Sequence, residues 1–165
     1  MDPFFIWLEQ TSISVWVRES PSTFAFPGIL TLHTIGMAFL VGATSAFSLR
    51  LLRFAPRVPV PEMLRYAPVV WFGFVVNLIS GALLLMAYPT KALTNPVFYL
   101  KLIAIAIALA AVVTLKRRIA TGGPITSGWN SDRILAGAAL FLWAVSITAG
   151  RLLAYTHTRL MASGF

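Results

Sequence analysis

The chain has 165 residues, is 58% hydrophobic and only 11% charged, and has a mean hydropathy of +0.82. Water-soluble domains carry about 25% charged residues, so a soluble globular body is excluded for lack of polar surface. The net charge of +8 does not mark a nucleic-acid binder, because the basic residues sit at the ends of apolar runs; with no cysteine, disulfides, zinc–thiolate sites and iron–sulfur clusters are excluded as well.

The first segment opens on Asp2 and Pro3, a cap followed by a first helical position. Phe4, Phe5, Leu8, Val15 and Trp16 approximate one apolar face, against Glu9, Gln10 and Arg18. This predicts an amphipathic helix over about residues 3–18, lying in a membrane interface with Trp7, Trp16, Phe24 and Phe26 as anchors. No basic region precedes it, so it does not read as a cleaved signal.

A membrane span needs about 20 apolar residues. Four stretches qualify, at about residues 28–52, 69–88, 97–115 and 134–155. Pro56, Pro59 and Pro61 separate the first two, and Pro89 closes the second. Asn95 and Pro96 cap and open the third. Gly122, Gly123, Pro124 and Gly128 interrupt the chain before the fourth, which Ser131 or Asp132 caps. Short connections favour neighbours of alternating direction. The expected fold is therefore all-α: a single integral-membrane domain, an up-down four-helix bundle with an N-terminal interfacial helix.

The basic residues orient it. Arg50, Arg53, Arg57, Arg65, Lys116, Arg117, Arg118 and Arg133 fall on one side. Arg18, Lys91, Lys101, Arg151 and Arg159 fall on the other, where Asp2, Glu9 and Glu19 also lie. The positive-inside rule puts the first group in the cytoplasm. Both termini are then periplasmic, in a bacterial inner membrane.

Polar residues inside spans are expensive, so each is a site candidate. His33 lies early in span one, on a stripe with Met37, Leu40 and Thr44. Asn77 lies mid-way along span two beside Gly73, Ser80 and Gly81, small residues that let another helix approach. Lys101 sits early in span three and Arg151 late in span four, which gathers all three charged or titratable groups toward the outer half. Three readings of this cluster stay open. Lys101 and Arg151 snorkel to headgroups while His33 meets a backbone carbonyl. Or His33 ligates the iron of a haem b, with His157 or Met86 as second ligand and the cations neutralising propionates. Or His33, Lys101, Arg151 and Tyr155 supply the polar groups of a quinone or lipid-headgroup pocket. No span carries a carboxylate, so an acidic proton relay is not expected.

The runs L-H-T-I-G (Leu32 to Gly36), S-L-R-L-L (Ser48 to Leu52), N-P-V-F-Y-L-K (Asn95 to Lys101) and G-R-L-L-A-Y (Gly150 to Tyr155) resemble a family of small, uncharacterised bacterial inner-membrane proteins with four helices. The W-L-E and V-R-E-S pieces ending at Glu9 and Ser20 fit the same pattern. In that pattern an acid often precedes L-R-L-L, and here Ser48 stands in its place. A more distant similarity is to four-helix membrane cytochromes and copper-resistance membrane proteins, which carry more in-span histidines. The resemblance implies the four-helix membrane fold and groups His33, Lys101 and Arg151 as one cluster.

The functional expectation is a non-catalytic inner-membrane subunit or accessory protein of a larger respiratory or redox assembly, with other membrane subunits and the bilayer as partners. A haem b-carrying or quinone-binding electron-transfer protein is the alternative, and a small-solute transporter a further one.

Overall fold

A computed structural model describes residues 3–54, 56–121 and 131–162, with the side chains of Pro61, Ala154 and residues 156–162 left undescribed. The described residues are all-helical. Four helices are long and apolar enough to cross a membrane: α3 (Phe26–Leu51), α5 (Ala67–Ala87), α7 (Pro96–Ala120) and α8 (Ser131–Ala162). Only 11% to 28% of the most apolar window in each is buried, so most of this apolar surface faces outward. Such a surface suits a multi-pass membrane protein, because in water it would be a very large exposed apolar area.

The helices outlast their apolar stretches. α7 continues through Lys116, Arg117 and Arg118 to Ala120, because lysine and arginine are good helix formers and nothing there breaks the hydrogen-bond ladder. Its start follows local chemistry: Asn95 accepts from the Val97 N–H at 2.9 Å, and Pro96 fills the first position. α3 ends at Leu51, and Arg53, just past the cap Leu52, takes φ 68°. The Arg53 N–H bonds Arg50 O and the Phe54 N–H bonds Leu49 O, the paired bonds of a left-handed helix stop. The connection between α7 and α8, with its glycines and Pro124, lies outside the described residues, as does Asp2.

The N-terminal segment differs from the single helix expected over residues 3–18. It forms two helices, α1 (Pro3–Glu9) and α2 (Ser12–Glu19). Thr11 is the cause. Its hydroxyl donates to Leu8 O at 2.8 Å, and the Ser14 N–H approaches it at 3.4 Å, so it closes one helix and caps the next. α2 packs on the end of α5, with Ser14 and Val17 buried. Ser14 donates to Met86 O at 2.8 Å, and Glu9 accepts from Thr90 at 2.8 Å on the short α6 (Pro89–Leu93). Phe26 meets Tyr88 edge-on at 5.9 Å, while Trp7, Trp16 and Phe24 remain exposed.

The core is organised by pairs. α3 packs antiparallel to α5, with position 33 meeting 80 and position 73 meeting 36 and 40. α7 runs antiparallel to α8: Lys101 lies beside Gly150, and Arg118 pairs with Asp132 at 2.8 Å. The two pairs join through α3 and α8. Leu40, Ala108 and Trp143 form one buried cluster, while Phe47, Leu51, Leu115 and Ala136 belong to another nearer the arginine-rich connections. The short α4 (Val60–Met63) and a 3-10 turn (Leu64–Tyr66) fold the connection before α5 beneath this second cluster, where Val60 is buried.

Candidate functional site

The site is set by how closely α3 and α5 cross. An ideal Cβ on Gly36 would stand 2.9 Å from Asn77 N and 3.0 Å from Gly73 O. One on Gly73 would stand 2.6 Å from Leu40 N and 2.8 Å from Gly36 O. Only hydrogen fits in either place, so the two backbones touch. One turn from this crossing His33 reaches α5. Its ring lies against Gly81, where an added Cβ would be 3.1 Å from Cε1.

The polar atoms here are matched. Asn77 Nδ2 donates to His33 O at 2.8 Å, tying the two helices through side chain and backbone. His33 Nδ1 lies 3.0 Å from Ser80 Oγ. The serine hydroxyl has one proton, which points to Val76 O at 2.6 Å with Asn77 O at 3.3 Å. Ser80 Oγ must therefore accept at the histidine contact, and Nδ1 carries the hydrogen. The neutral ring then holds its lone pair on Nε2, leaving that nitrogen as an acceptor or metal ligand. An imidazole whose other nitrogen is committed to a neighbour is oriented in the way metal- and substrate-binding histidines generally are.

Lys101 joins this group from α7. It is half-buried, lies within electrostatic reach of His33, and runs past Gly150 with Cε and Nζ both 3.7 Å from the position a Cβ would take there. His33 lies seven residues inside α3 and Lys101 five inside α7, so both sit about 8–10 Å below their helix ends. A cation and an unprotonated ring nitrogen at one depth can bind a group that both donates and accepts.

The other expected residues do not converge here in the same way. Arg151 and Tyr155 are exposed on α8. Met86 is half-buried, and its backbone oxygen holds Ser14. The His157 side chain lies outside the described residues. Met86 is carried on α5, whose backbone meets that of α3 at Gly36 and Gly73.

Ser80 as the partner of His33 is the residue that sequence reasoning passed over, treating it as a small packing residue. Its signal was the spacing of Gly73, Asn77, Ser80 and Gly81, one helical stripe opposed to that of His33, Gly36 and Leu40. Comparison with family models, with curated proteins and with solved structures finds no match to this chain.

Proposed function

We propose that this chain is a multi-pass component of a bacterial inner-membrane redox assembly that holds the polar head of a quinone or quinol against His33 and Lys101. In this reading the four apolar helices form an up-down bundle in the bilayer, with the arginine-rich connections cytoplasmic and both termini periplasmic. The observation that carries it is the His33–Ser80–Asn77 node with Lys101 within electrostatic reach of it. A quinol hydroxyl donates to His33 Nε2, and a quinone carbonyl accepts from the Lys101 ammonium. The apolar exposed surface supplies the slot for an isoprenoid tail. Membership of a larger assembly is supported by the short connections, which leave no room for a separate catalytic domain.

The test is binding of a short-tailed quinone to the purified chain in nanodiscs. Saturable binding should weaken about tenfold or more in His33→Ala and in Lys101→Met, matching loss of a hydrogen bond to a charged or buried group. Absence of saturable binding to the unmodified chain refutes the quinone site. A Soret band that disappears in His33→Ala would instead make His33 a haem ligand. Recovery of partner subunits in mild detergent checks the assembly, and isolation only as a lone monomer counts against it. Reporter fusions finding either terminus in the cytoplasm would reverse the orientation.

A further inference from the structure

At the opposite end of the helices from His33, α5 and α7 do not pack extensively on one another. Between them, and roofed by α3 and the α4 turn, lies a cleft of about 60 Å³. Phe47, Met63, Ala67 and Val112 belong to its apolar lining, and Tyr66 and Lys116 stand at its arginine-rich end. Thr44 lines it more deeply, but its hydroxyl proton goes to Leu40 O at 2.7 Å, so it offers no donor to an occupant.

Shape and charge select the occupant. The cleft is a half-open groove with an apolar lining, along which a hydrocarbon chain can lie. Its polar end faces a strongly cationic region. Eight basic residues, four from Arg50 to Arg65 and four from Lys116 to Arg133, flank the two connections, against the two acids Glu62 and Asp132. Asp132 is already paired with Arg118 at 2.8 Å. Lys116 has no salt bridge among the described residues. A flexible apolar chain continuous with an anionic head matches both features.

We infer that this cleft binds an anionic phospholipid, one acyl chain lying along Phe47 and Val112 and the phosphate meeting Lys116 and the Tyr66 hydroxyl. The site rests on the membrane reading and is independent of the quinone proposal, since it lies at the other end of the helices. A bound lipid there covers the gap between α5 and α7 and ties together helices that touch little by themselves.

The experiment is native mass spectrometry of the full chain in mild detergent, titrated with phosphatidylglycerol and phosphatidylcholine of matched tails. One phosphatidylglycerol per chain should be retained, with phosphatidylcholine several-fold weaker. Lys116→Gln should lower phosphatidylglycerol retention about fivefold or more and leave phosphatidylcholine unchanged, whereas Arg117→Gln on the exposed face should change neither. Ala67→Phe should reduce both lipids by filling the chain slot. If that variant fails to fold, dihexanoyl phosphatidylglycerol against the long-tailed lipid reads the same requirement, and the short tail should bind far more weakly. Equal retention of the two headgroups, equal effects of the two basic-residue variants, or indifference to tail length each overturns the site. Partition of the chain into the aqueous fraction without detergent would instead remove the membrane reading beneath it.

Discussion

Replacing Gly73 by alanine perturbs the crossing that positions His33. The added methyl would start 2.6 Å from Leu40 N and 2.8 Å from Gly36 O, both backbone atoms of α3. Ordinary contact begins at 3.4 Å, so the helices must part by about 0.8 Å. A gap of that size forfeits roughly a quarter to a half of the dispersion attraction along the interface. It also stretches the 2.8 Å bond from Asn77 to His33 O and the 3.0 Å bond from His33 to Ser80 past the useful range. Overpacking costs about 1–3 kcal/mol, and each lost bond about 0.5–1.5 kcal/mol. Alanine's helix propensity returns about 1 kcal/mol. The net destabilisation is then about 1–5 kcal/mol, shared between the clash and the two lost bonds. Gly42 on the same helix as Gly36 is the control, because nothing lies within 4 Å of a Cβ built there. Gly42→Ala should be neutral or stabilise by about 0.5–1 kcal/mol. Denaturant titration in mixed micelles, followed by circular dichroism, measures both. A Gly73→Ala protein as stable as Gly42→Ala would show that α3 and α5 do not cross at these glycines.

Other variants probe separate parts of the molecule. Ser48 is fully buried and its hydroxyl has no partner among the described residues, so Ser48→Ala should raise stability by about 1 kcal/mol in the same titration. Arg53 occupies the left-handed region at φ 68°; Arg53→Gly should stabilise by up to about 1 kcal/mol, seen as a higher melting temperature. Ser14→Ala removes the 2.8 Å bond to Met86 O, costing about 1 kcal/mol and raising the rate of proteolysis around α2 while the α3–α8 helices stay protected. Ser80→Ala should leave the helices folded but weaken quinone binding, because His33 would lose the acceptor that fixes its tautomer; Ser80→Thr should restore part of it.

The four long helices were legible in the sequence because each is an unbroken apolar stretch and hydrocarbon-length runs have few other uses. Asn95 and Pro96 announced the start of α7 by side-chain chemistry confined to three residues, and the structure carries that cap. The stop of α3 ahead of Arg53 was less visible, since the left-handed turn is held by backbone bonds that any residue can make. The division of residues 3–18 into two helices turned on one threonine whose hydroxyl faces both ways, a choice that periodicity averages over.

His33, Asn77 and Lys101 stood out because polar atoms in apolar segments require partners, a demand written in each residue alone. Which partners satisfy them was settled between helices. That Ser80 holds Nδ1, that Asn77 donates to the backbone of α3, and that Lys101 passes over Gly150 depend on helix rotation and separation. These quantities are fixed by where glycines allow two backbones to touch, and hydropathy, being a sum along one chain, carries no information about distances between helices. The sequence by itself thus determined the helices and the polar residues that need neighbours; only the tertiary structure decided the neighbours, since their choice is made by packing across the gap.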